Sequence, residues 1–204
     1  MTEWVKLLTA LAGAGGLGTV AVKSILSWRK SREQVRIRRV WASVVDTSNA
    51  LRAAVNRCGC CRVLLIESTN GGGVPGPTNP AKVTVLYDAT DGKTRSIAGK
   101  WVEVKPDHQY SELLRDLSLD DGVVHLVTED LEPGDLKTLY QADEVEQSYV
   151  YRLAATEREM IYVSYNFPHN EELSPKQVDA IRETRLRIDQ IVHENDETYR
   201  KAVL

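Results

Sequence analysis

The sequence predicts an α+β domain, a mainly antiparallel sheet flanked by N- and C-terminal helices, preceded by a single transmembrane helix. Three observations carry this. Between Lys6 and Lys23 the chain holds no charge, and only Thr9 and Thr19 are polar. Behind that span, runs of period two outnumber helical ones, in the order helix, strand, strand, short helix, strand, hairpin, helix. Strands with so few helices between them give an α+β domain rather than a repeating β–α layer. Finally, Ser174-Pro175-Lys176-Gln177 opens the last helix with an N-cap serine, proline at the first helical position and a glutamine completing a capping box.

The apolar span runs from Trp4 to Trp28, 25 residues with a tryptophan at each end as interfacial anchor. Lys6 and Lys23 stand near the ends, where their stems carry the ammonium groups to the headgroups. Gly13, Gly15, Gly16 and Gly18 would each weaken a helix in water by up to about 1 kcal/mol. Ala10, Ala14 and Gly18 stack at four-residue steps, a small-residue face for helix packing. Two alternatives stand beside a membrane helix: an apolar helix buried in an assembly, and a cleaved signal peptide. The latter lacks a basic start and a small-residue cleavage site.

The net charge of −3 hides an asymmetry. Arg29 to Arg62 holds nine basic residues against two acidic ones, whereas the chain from Val63 onward holds 15 against 26. Arg29, Lys30, Arg32, Arg36, Arg38 and Arg39 follow the span directly, where they would meet anionic lipid at about 1 kcal/mol each. By the positive-inside rule the C-terminal domain lies in the cytoplasm, behind a single pass through the inner membrane. The acidic main domain and the lack of a recognition motif argue against nucleic acid. The three cysteines are confined to Cys58-Gly-Cys60-Cys61, and four scattered histidines supply no ligand pair, so no metal is expected. Buried thiols at the start of a core strand are the expectation.

In order, residues 29–57 form a basic juxtamembrane segment and entry helix. Its apolar positions include Val40, Trp41, Val44, Val45, Leu51 and Val55; Ile37, Val44 and Leu51 are spaced by seven. The chain enters the domain, residues 58–195, through Gly59. Cys61 to Ser68 is a strand apolar on both faces, and Thr69 to Pro77 is a Gly/Pro loop. Lys82 to Asp88 alternates as a second strand, and Trp101 to Lys105 as a short edge strand. Tyr110 to Leu119 reads as a short helix capped by Ser111, and Val123 to Thr128 as a third strand. Glu144 to Phe167 is a hairpin turning at Thr156-Glu157-Arg158. The capped helix follows through Val178, Ile181, Ile188, Ile191 and Val192, leaving 196–204 as a tail. The terminal helices should cover one sheet face, and the middle helix and loops the other.

This order, with RVLLIESTNGGG, VTVLYD and YVYRL…MIYVSYNF before a capped helix, resembles the GAF domain, a sensor fold related to PAS, over about residues 35–195. An N-terminal membrane helix with a first strand ending in Asn-Gly-Gly is also similar to small membrane-anchored GAF-like proteins of tailed phages. Those carry an aromatic-His before Asn-Gly-Gly where this chain has Ser68-Thr69, so a role tied to that histidine does not carry over. The resemblance implies a regulatory or binding role without catalysis, and a pocket between the sheet and the loops on its open face. Its candidate rim here is Glu67, Asn70, the Gly71–Gly73 loop with Gly72 at its centre, Tyr110, His125 and Tyr140. Consecutive glycines let backbone N–H groups approach an anion, but this loop does not open a helix and reads first as a turn between strands.

The sequence offers no catalytic constellation: no Gly-x-Ser-x-Gly, no His-Glu-x-x-His and no Asp-x-Asp. The acidic pairs Asp120-Asp121 and Glu129-Asp130 read as solvated caps, and His125 as a satisfied, half-buried strand residue. No cofactor is expected. The leading reading is a cytoplasmic sensor or interaction domain, anchored in membrane lipid, dimeric through its terminal helices, with an unidentified small-molecule or protein partner. Two rivals follow from the apolar span: a phage membrane-lesion or lysis-timing protein, and a structural component of a virion or membrane assembly.

Overall fold

The computed structural model describes residues 42–69, 81–119, 122–156 and 159–203, with the side chains of the last helix described as far as Glu194. The chain divides into two compact units, Met1–Val45 and Asp46–Leu204, and the second carries the fold. The expected anchor with Ala10, Ala14 and Gly18, the basic cluster from Arg29 to Arg39, and the Asn70–Gly73 loop lie outside the described residues. Among the described residues, no helix is long and apolar enough to cross a membrane.

Strands β1 (Arg62–Thr69), β2 (Lys82–Thr90), β3 (Val123–Val127), β4 (Gln147–Ala155) and β5 (Glu159–Phe167) form one antiparallel sheet in the order β2-β1-β5-β4-β3. The helices are α1 (42–58), α2 (His108–Ser118), α3 (Asp135–Ala142) and α4 (Pro175–Val203). Side chains alternate across the strands, so each face builds its own core. Val63, Leu65, Val163, Tyr165 and Phe167 pack with Leu51, Ala54 and Cys58 of α1 and with Ala180, Ile181 and Ile188 of α4. Leu64, Ile66, Val85, Val150 and Tyr162 pack with Tyr110, Leu113 and Leu117 of α2 and with Leu136 and Tyr140 of α3. The expected division of the two faces is therefore what the chain adopts.

Local chemistry explains the ends. Gly59, at φ +68, lets α1 stop and the chain turn into β1. The capping box forms as expected, Ser174 N–H donating to Gln177 Oε1 at 3.0 Å. The α2 cap is Asp107 instead of Ser111: its Oδ1 accepts from Tyr110 N–H at 2.8 Å, while the Ser111 hydroxyl donates to the Asp107 carbonyl. Trp101 to Lys105 forms no strand. Val104 makes a single bridge to Val83, and Glu103, at φ +52, breaks the extended backbone. Val45 is exposed instead of apolar seam, which in α1 runs through Thr47, Leu51, Ala54, Val55 and Cys58. Helix α3 was not expected, and α4 continues to Val203 through the residues read as a tail.

Candidate ligand cleft and the polar network behind it

Beneath the sheet, on the α2–α3 side, the interior is filled by the protein's own rings. Tyr110, Tyr140 and Tyr162 are buried there, Trp101 packs over Tyr110 at 6.1 Å between centroids, and the remaining void measures about 20 Å³. That is room for about one water. The Tyr110 and Tyr162 hydroxyls share a hydrogen bond of 2.9 Å, and burial pushes both phenols above their usual range. Burial also raises Tyr140, against the pull of the Ser148 and Ser164 hydroxyls and the Arg62 guanidinium.

Arg62 opens β1 with its side chain wholly buried. A buried guanidinium demands a full set of acceptors, because desolvating it costs several kcal/mol. Asp143, just after α3, places Oδ2 at 2.6 Å from Arg62 Nη1 and Oδ1 at 2.6 Å from Arg95 Nε. The second contact is an ion pair without hydrogen-bond alignment, leaving Oδ1 short of a donor. Asn166, opposite Arg62 in β5, completes the set. Oriented to suit its neighbours, its amide oxygen accepts from Arg62 Nε and Nη2 at 3.2 and 3.1 Å, and its nitrogen donates to Ser164 and Ser148 at 2.7 and 3.0 Å.

Outside this core lies an open cleft of about 320 Å³, walled by Val83, Trp101, Pro106, Tyr110, Leu136 and Leu139. Arg95, Lys105, Asp107 and Asp135 also line it. Its volume lies at the lower end of small-molecule sites. Asp107 holds two helices there: Oδ1 caps α2, and Oδ2 accepts from Asp135 N–H at 2.9 Å at the start of α3. Gly134 makes that possible, since a Cβ in its place would stand 2.8 Å from Asp107 Oδ2.

The structure separates the residues expected to form one rim. Tyr110 and Tyr140 are core residues on the α2–α3 face. Glu67, by strand parity, and His125, by its pairing with Tyr149, belong to the face that α1 and α4 cover. His125 is exposed, stacks on Tyr149 at 4.3 Å, and its Nε2 lies 3.0 Å from Gln147 Oε1. Glu67 is partly buried, and desolvation, followed by the nearby Glu159 carboxylate, raises its pKa. The pocket rim is thus not assembled from these four.

The cysteines are free and buried. A hydrogen bond from Cys60 lowers the Cys58 thiol, while Cys60 itself is pushed far up; burial raises Cys61. Among the described residues, no group of His, Cys, Asp and Glu is placed to hold a metal. Arg62, Arg95, Asp107 and Asp143 were missed as a group. The available signal was Arg62 itself, a charge at the head of a strand apolar on both faces, which requires a buried partner.

Comparison with known proteins gives the fold. The chain is similar to the phycocyanobilin-bound GAF domain of a cyanobacterial phytochrome, with a TM-score of 0.50 and 11% identity, covering 79% of this chain and 93% of that one. It is similar to the PixJ GAF domain of Thermosynechococcus elongatus, with a TM-score of 0.51 and 9% identity over 79% of this chain and 93% of that one. The third GAF domain of Slr1393 from Synechocystis matches with a TM-score of 0.51 and 9% identity, over 76% and 95% of the two chains. No protein-family model and no curated protein matches the sequence. At these identities the likeness shows the fold alone, a GAF-type α+β domain.

Proposed function

We propose that this chain is a membrane-anchored regulatory module. Its GAF-type domain faces the cytoplasm from the inner membrane, performs no catalysis, and relays a signal as a dimer through its terminal helices. The observation that carries the reading is the filled interior. The phytochrome relative is described as holding phycocyanobilin, whereas here Trp101, Tyr110, Tyr140 and Tyr162 leave about 20 Å³ beneath the sheet. A chromophore-sized ligand does not fit such a space, which favours an interaction domain, with the outer cleft the place for any small effector. The Arg62 guanidinium and the Tyr110 and Tyr162 hydroxyls are engaged within the network, and the Asp143 carboxylate faces two arginines, which supports a domain without catalysis. The long α4 lies against α1 on the opposite face, tied by the Arg57–Glu183 pair and by Gln177 Nε2 donating to the Cys58 carbonyl at 3.1 Å. Movement of one terminal helix is therefore felt by the other.

Carbonate extraction of membranes from cells expressing the full chain tests the anchor, and protease treatment of inside-out vesicles tests the orientation. The protein should stay in the pellet, and its C-terminal domain should be digested only from the cytoplasmic side. Release by carbonate would remove the anchor from the account. The glycine-rich apolar span sustains the lytic reading as a rival. Loss of membrane potential on expressing the chain would favour that reading.

A further inference from the structure

The two edges of the sheet are treated differently. Along β2 the chain closes its own edge: Val83 N–H donates to the Val104 carbonyl at 2.8 Å, Val104 N–H returns to Val83 at 2.9 Å, and Val85 N–H donates to Trp101 at 2.8 Å. Along β3 nothing does so among the described residues. The register there follows from two bonds, Thr128 N–H to the Glu146 carbonyl at 2.8 Å and Arg152 N–H to the Gly122 carbonyl at 2.7 Å. Even-numbered residues therefore turn their backbone groups to β4, and Val123, His125 and Val127 turn theirs outward. The Val127 carbonyl takes a turn bond from Asp130 at 3.1 Å. The three outward N–H groups and the carbonyls of Val123 and His125 have no protein partner among the described residues.

Exposed edges are ordinarily blunted by lysine, proline or a bulge. The strand Val-Val-His-Leu-Val has none of these; its pairing with β4 is regular, and both Val123 and His125 are exposed. Its surroundings are acidic. Glu129, Asp130, Glu144 and Glu146 are exposed around its C-terminal end. The neighbouring Lys137 directs its ammonium to the Glu129 and Leu131 carbonyls at 3.0 and 2.6 Å. In sequence Asp120 and Asp121 precede the strand, so a second copy pairing in either direction sets acid against acid.

We propose that β3 is a docking edge for an extended segment of another protein, one with an uncharged β-forming core and lysine or arginine at its ends. The segment adds a sixth strand, its backbone pairing with Val123, His125 and Val127 and its basic ends meeting the acidic rim. This goes beyond the regulatory reading and does not depend on the membrane anchor.

The test uses the full chain in a neutral detergent and two fluorescein-labelled peptides, Lys-Val-Thr-Val-Thr-Val-Lys and its counterpart with glutamate at both ends. By fluorescence anisotropy the basic peptide binds at least about tenfold more tightly than the acidic one, a gap that narrows with salt. His125→Pro removes an outward N–H without touching the ladder to β4, and lowers that affinity at least about tenfold. Glu129→Lys with Asp130→Lys, both on exposed turn residues, reverses the preference. Three results overturn the proposal: no saturable binding of the basic peptide up to about 1 mM, equal binding by both variants and the unaltered chain, or self-association that His125→Pro abolishes. The last would make a second copy the occupant.

Discussion

Asp143 is the residue whose loss the structure predicts most sharply. Its side chain is 1% exposed and neutralises Arg62, whose own side chain is 0% exposed, with a second arginine at the entrance. Asp143→Ala leaves the Arg62 guanidinium buried with only the Asn166 oxygen and the Arg95 carbonyl as acceptors. Breaking a buried pair from one side costs about 3–5 kcal/mol, because the remaining charge is uncompensated. That is a large share of the stability of a domain this size. The pair itself is far less valuable than either single loss implies. Arg62→Met with Asp143→Leu removes both charges and refills the space, and should lie within about 2 kcal/mol of the unaltered protein. Urea unfolding of the full chain in neutral detergent, followed by circular dichroism, gives both numbers. A single variant losing under about 1 kcal/mol, or a double variant losing the sum of the singles, would refute the account of the network.

Tyr162→Phe strands the Tyr110 hydroxyl in the core and should cost about 1–3 kcal/mol, most of it recovered on adding Tyr110→Phe; the same urea midpoints measure both. Asp107→Ala removes the caps of α2 and α3 together and should cost about 1–4 kcal/mol, twice a single cap. Gly134→Ala acts on the same carboxylate through a contact of 2.8 Å, and should raise amide exchange at both helix starts. Glu67 titrates above its unfolded value of about 4.3, so the folded state prefers the protonated carboxyl, and stability falls as pH rises through that value toward the folded pKa. Glu67→Gln should therefore raise the urea midpoint at pH 7 and leave it unchanged near pH 3.

Where a signal was local, the sequence carried it. The capping box of α4 and the doubly apolar β1 each lie within a few residues, and each appears as read. Helix α3 was illegible because its N-cap, Gly134, has no side chain; the carboxylate holding its first N–H belongs to Asp107, 28 residues earlier. The Leu136, Leu139 and Tyr140 spacing was present but short. The site failed for the same reason. Arg62 and Asp143 are 81 residues apart, and no spacing rule joins them. The expected rim is divided by strand parity: Glu67 of β1 and His125 of β3 lie on the sheet face opposite α2 and α3.

If this GAF-type domain works through its helices and partners, its interior filled by its own side chains, the full chain carries no bound small molecule. Native mass spectrometry of the full chain, released from detergent micelles, measures this. The expected species is a dimer with the bare mass of two polypeptides. An added mass, fixed in stoichiometry and lost on denaturation, would contradict it and make the domain a small-molecule receptor.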